Sequence, residues 1–143
     1  MLKLKFVATL GLCVFLTPAF AQTLAEKEKY ATEEKAMVRS VENTAKQCKT
    51  EIKVKFDWSS FKKEDLGKYS PSGYCDNVFS ALNSVCTGSD DGLKAVQGNV
   101  KSVTCKQASP RSLSLKNGEL IFGIDYKAAN DYDAVVEFLK NNL

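Results

Sequence analysis

Histidine is absent from this sequence, which removes the commonest general acid–base side chain and the commonest nitrogen ligand for zinc. No Cys-x-x-Cys pair occurs, so no thiolate is poised for disulfide exchange. Glycine-rich phosphate loops and nucleophile elbows are missing as well. Asp90 and Asp91 stand together, but an EF-hand loop needs oxygens at several alternating positions and a closing glutamate, which this segment lacks. These absences exclude most chemistry. No catalytic residue, cofactor or metal is expected, and the residues argue against an enzyme.

What is present at the start is an export signal. Lys3 and Lys5 precede an apolar run from Phe6 to Leu16, and Ala19 and Ala21 supply the small residues of a cleavage site. Residues 1–21 are expected to be a signal peptide, leaving a domain over residues 22–143 that is periplasmic or secreted. Cys13 leaves with the leader. No later stretch is long and apolar enough to span a bilayer. Of the 20 basic side chains, Lys3 and Lys5 also leave, so 18 face 17 acids and the net charge is +1. A nearly neutral protein lacks the positive field that nucleic-acid binding relies on.

Four cysteines remain, Cys48, Cys75, Cys86 and Cys105, and an even number in an exported chain reads as two disulfides. From Gly73 to Cys86, the residues Cys75, Val78, Phe79, Leu82, Val85 and Cys86 recur at three- and four-residue steps, the period of a helix with one buried face. A helix separates Cys75 from Cys86 by roughly 16 Å, whereas a disulfide tolerates about 7 Å between Cα atoms. The two cannot pair, and two connectivities remain. If this helix runs back along the preceding strand, Cys86 returns to Cys48 and the next strand carries Cys105 out to Cys75. That favours Cys48–Cys86 with Cys75–Cys105 over Cys48–Cys75 with Cys86–Cys105.

Around this helix the other elements are placed by pattern. Leu24 to about Cys48 reads as a long amphipathic helix whose inner stripe holds Tyr30, Met37, Val41, Ala45 and Cys48. Glu33, Glu34, Lys35 and Arg39 fall on its solvated face, and its first turn, lacking an apolar anchor beyond Leu24, is expected to fray. Glu51 to Trp58 alternates strictly, putting Ile52, Val54, Phe56 and Trp58 on one side of a strand and Lys53, Lys55 and Asp57 on the other. Ser59 to Gly73 is a long connection with isolated aromatics Phe61 and Tyr69. Ser89 or Asp90 caps a short helix, and Val100 to Lys106 is a second strand. Asn117-Gly118 forms a type I′ turn that pairs Leu115 with Leu120 and Leu113 with Phe122. Asn130 or Asp131 then caps a last helix with Tyr132, Val135, Val136 and Leu139 inward.

The expected architecture is α+β: a four-stranded, mainly antiparallel sheet with helices on one face, water on the other, and two disulfides. An exported interaction module, of the inhibitor, immunity or envelope-accessory kind, fits best, with another protein as partner. Its candidate surface is the open sheet face, with Lys53, Lys55, Ile121 and Asp125, together with Phe61 and Tyr69 of the long connection. Asp57 and Asp125 on that face are read as solvated rather than as an acid–base pair. The alternative is a carrier of a small apolar ligand, enclosed between the first helix and the sheet.

Overall fold

A computed structural model describes residues 23–143, and the expected leader, residues 1–21, lies outside them. The elements run α1 (Leu24–Cys48), β1 (Lys53–Phe56), α2 (Lys63–Leu66), α3 (Pro71–Gly88), α4 (Asp90–Asn99), β2 (Ser102–Gln107), β3 (Ser112–Lys116), β4 (Glu119–Ile124) and α5 (Asp131–Asn142). The four strands form one sheet in the order β1-β2-β4-β3. The fold is α+β.

The sheet is mixed, which corrects the expectation of a mainly antiparallel one. β1 with β2 and β2 with β4 are parallel, and only the hairpin pair β3 and β4 is antiparallel. The reason lies in α3, which carries the chain back along the length of β1. β2 therefore starts at the same end as β1 and runs beside it in the same direction. β3 then descends at the far edge and leaves β4 to rise in the gap next to β2. Strict alternation suggested antiparallel pairing because parallel strands usually have both faces covered. Here helices cover one face, so the parallel strand β2 also alternates, with Val103 and Cys105 fully buried and Ser102, Thr104 and Lys106 half-buried.

The hairpin closes through Asn117 (φ 52°) and Gly118 (φ 81°), the left-handed pair that a type I′ turn requires. Leu115 meets Leu120 and Leu113 meets Phe122. The β2–β3 connection must cross the end of β4, and it passes close over Gly123, where a Cβ would collide with Ser112 Oγ and Ala108 Cβ. A side chain at that position has no room.

α3 lies at the centre of the helical layer, touching α1, α4, α5 and the strands β2 and β4. It runs parallel to α1, since contacts step along both in the same sense: Glu33 with Ser72, Ser40 with Asp76, Thr44 with Phe79, Cys48 with Cys86. Phe79 and Leu82 of α3, Met37 of α1, Val96 of α4 and Val135 and Leu139 of α5 meet Ile52, Val103, Leu120, Phe122 and Ile124, all of them almost wholly buried. The disulfides are Cys48–Cys86, with Cα atoms 5.1 Å apart, and Cys75–Cys105, at 6.0 Å. One bridge ties α3 to α1 and the other ties it to β2. Among the described residues, no helix is long and apolar enough to cross a membrane.

Candidate functional site

At its N-terminus α3 begins Ser70-Pro71-Ser72 with no acidic residue in its first turn, and Ser70 makes no capping bond of its own. The missing acceptor comes from another helix. Glu33 Oε2 of α1 accepts from Ser70 Oγ (2.7 Å), Ser72 N (2.9 Å) and Ser72 Oγ (2.6 Å), while Lys29 Nζ lies 2.7 Å from Oε1. Glu33 is only 4% exposed, which corrects its assignment to a solvated face. Burial opposes its charge, but the Lys29 and serine donors outweigh burial and hold the carboxyl below its ordinary value. The one available hint was a helix start without its own acid, since orphan N–H groups at a buried helix end require a partner from somewhere. At the N-terminus of α1, Thr23 and Glu26 form a reciprocal capping box and Glu26 reaches Lys63 at 2.6 Å, so the first turn expected to fray has a polar closure.

Beside this hub stand three tyrosines. Tyr69 stacks on Tyr126 with centroids 4.3 Å apart and planes 11° apart, and Tyr74 is edge-on to both. The Tyr126 hydroxyl is buried with no hydrogen-bond partner among the described residues. Burial, and then the carboxylates of Asp65 and Glu33, push its ionisation well above that of a free phenol. Phe61 has a different fate. It is 6% exposed and tilts against Trp58, which itself stacks on Tyr30 and on Phe56 and donates Nε1–H to Glu34. β1 ends at Phe56, so Trp58 opens a 3-10 turn (Trp58–Ser60) instead of extending the strand. Thus Tyr69 reaches the surface and Phe61 is withdrawn from it.

The C-terminal end of α3 is open. Ser89 ends α3 and caps α4, accepting from Gly92 N at 3.0 Å. The two helices turn against each other because Gly92 has no side chain: a Cβ there would lie 2.5 Å from Val85 O. α5 leans on the same corner, and the three helices leave a groove of about 710 Å³. Val85, Ala95, Val136, Leu139 and Leu143 give it apolar walls, with Asp91 and Lys140 along the lining. Ser84 Oγ and Tyr132 Oη, 2.6 Å apart, form its hydroxyl pair. Helical spacing points Tyr132 into the inner stripe of α5, yet it is 37% exposed. The stripe is rotated because Asp131 turns inward to Arg111, whose Nη1 is 2.7 Å from Asp131 Oδ1 and also donates to Ala129 O.

The open sheet face is arranged in rows. Lys55, Thr104, Ile121 and Ser114 lie side by side across the strands, and Lys53, Ser102, Glu119 and Lys116 form the next row. Glu119 occupies the middle of the lysines, accepting from Thr104 Oγ1 at 2.5 Å with Lys55 Nζ at 4.0 Å. Asp57 and Asp125 follow β1 and β4 with β2 between them and a two-residue offset in register, roughly 12 Å apart by strand spacing and rise. Each closes a local turn instead: Asp57 accepts from Ser59, and Asp125 accepts from Lys127 N. Among the described residues no cluster of three metal-ligating side chains forms. No protein-family model matches the chain, and neither the curated proteins nor the solved structures contain a match.

Proposed function

We propose that this is an exported, non-enzymatic interaction module, of the inhibitor, immunity or envelope-accessory kind, that holds an apolar segment of a protein partner in the groove between α3, α4 and α5. The groove itself carries this reading. It joins aliphatic walls to a polar rim of Ser84, Ser89, Asp91 and Lys140, the anatomy of a protein interface with its apolar centre and wet border. Two disulfides fit an oxidising compartment. The buried acid, Glu33, has both oxygens engaged, Oε2 in capping α3 and Oε1 with the Lys29 ammonium.

The test is paired capture from envelope extract or culture fluid with wild type and Val136→Lys. A partner held at micromolar concentration by wild type and lost by the variant, with the variant's circular dichroism still that of the folded protein, is the expected result. Equal capture by both removes the groove from the proposal, and charge reversal at Lys53 and Lys55 then asks whether the open sheet face is the surface instead. A second reading, a carrier of a small apolar ligand, is favoured by the groove volume, which falls within the roughly 300–1,000 Å³ of small-molecule sites. Native mass spectrometry of freshly purified protein separates the two. A retained small molecule supports the carrier, and a bare mass argues against it.

A further inference from the structure

We infer that the corner formed by Tyr69 and Tyr74 is a second binding site, for an uncharged oligosaccharide. A pyranose ring presents C–H bonds on a face and hydroxyls around its rim. Its complement is an aromatic face bordered by hydrogen-bonding groups. Tyr69 has one ring face packed on Tyr126 and is 36% exposed, so its other face is turned to solvent. Tyr74 stands at 84° to it with centroids 6.5 Å apart, giving the corner a second wall. With Lys68, Ser70, Gly73 and Asn77 these rings line a hollow of about 380 Å³. The border is polar: a hydroxyl, an ammonium, and the Asn77 amide, whose Nδ2 donates to Tyr74 O at 3.2 Å and leaves Oδ1 as an acceptor.

Three further observations select this ligand class. Among the described residues the hollow's apolar surface is aromatic ring alone, with no aliphatic pocket for a branched anchor of a protein partner to fill, in contrast to the groove at the other end of α3. Among the described residues Lys68 is its one charged lining group, while the carboxylates of Asp65 and Glu33 are near enough to act on Tyr126. Charges of opposite sign close together leave little field to draw an anionic polymer. The corner is also rigid. Tyr74 precedes Cys75, which is bridged to β2, and Ser70 is hydrogen-bonded to Glu33, so little ordering is lost on binding.

The experiment is an amide NMR titration of the disulfide-bonded protein with cellotetraose and with chitotetraose. Saturable shifts with at least one of them, confined to Lys68–Asn77 and the neighbourhood of Tyr126, are expected. Tyr69→Ala should weaken that binding about tenfold and Tyr69→Phe should preserve it, because the stacking face and not the hydroxyl does the holding. Tyr132→Ala, in the other groove, should leave it unchanged. If Tyr69→Ala does not fold, Asn77→Ala carries the test with an expected loss of about threefold. The proposal is overturned by the absence of saturable shifts with both sugars, by shifts that map to α3–α4–α5, or by unchanged affinity in the substituted corner. A proline-rich peptide binding this corner when neither sugar does would also overturn it.

Discussion

At its first turn α3 is held in place: Glu33 reaches across from α1 to cap it, tyrosines pack beside it, and Cys75 bridges it to the sheet. At its last turn the same helix has a disulfide to α1, a serine cap for the next helix, and then an open groove. Covalent restraint is nearly equal at the two ends, with separations of 30 and 38 residues across the bridges. Non-covalent closure is not. The contrast separates two uses of a helix end. One end is sealed so that neighbouring side chains stand still, and the other is left unsealed so that something else can fill it.

The largest effect expected from breaking this contrast is loss of a bridge. Replacing Cys75 and Cys105, or separately Cys48 and Cys86, by alanine should cost about 4 kcal/mol each on the chain-entropy model, a large part of the stability of a small protein. The two loops differ so little in length that their entropy terms agree within a few tenths of a kcal/mol. Urea melts of the two double variants should therefore expose any difference in packing, and the Cys75–Cys105 variant is expected to be the less stable. Equal midpoints would mean that the sealed end gains nothing from its bridge beyond entropy.

Next in size is Glu33→Ala, which strands Ser72 N–H and two serine hydroxyls at a buried helix start and should cost about 2–3 kcal/mol. The same carboxyl makes the sealed end sensitive to acid. Its folded-state ionisation is depressed below the ordinary value of 4.5, so its contribution is complete above that pH and is lost as pH falls through the depressed value. Thermal melts from pH 6 downward should show wild type losing stability across that window more steeply than Glu33→Gln. Parallel profiles would contradict this account of the cap.

Smaller again is Gly92→Ala. The added methyl meets the Val85 carbonyl, forces α4 away from α3, and should cost about 1–3 kcal/mol while reshaping the groove. The smallest effect on stability is expected from Val136→Lys. Val136 lines the groove and is half-buried beside the fully buried Val135, so the substitution should cost about 1 kcal/mol. Partner capture is the quantity that should fall.

Much of the fold was legible because its signals are local. Helical spacing marked α1 and α3, alternation marked β1 and β2, and Asn117-Gly118 set the hairpin register, since a two-residue type I′ turn leaves no freedom in pairing. The disulfide pairing was legible for a geometric reason. Cys75 and Cys86 are too far apart along one helix, and a helix that returns along β1 brings Cys86 to Cys48. That same return forces β2 to start beside β1 and run parallel to it. The antiparallel expectation thus conflicted with the geometry behind the cysteine pairing, and it arose from reading alternation as strand direction when alternation reports only which face is covered.

The candidate sites were much less legible. Lys53, Lys55 and Ile121 do share the open face, and Tyr69 is at the surface, but neither the groove nor the Glu33 hub was visible. Both join residues far apart in the chain: Ser84 with Tyr132, and Glu33 with Ser72. Glu33 sits at a position of the buried stripe of α1 that is ordinarily apolar, so its charge disguised its place.

From its residues alone, then, this protein has its longer helices and its strands, its alternating sheet face, its hairpin register and the exclusion of a Cys75–Cys86 bridge. Each follows from side-chain periodicity or from a fixed rise per residue, and neither depends on what lies across the fold. Only the tertiary structure decided the parallel pairing of β1, β2 and β4, the burial of Glu33, the rotation of α5 by the Arg111–Asp131 pair and the unfilled corner beyond Gly88. Those depend on which surfaces meet, and a carboxylate becomes a cap, or a glycine a point of close approach, only when a second element arrives beside it.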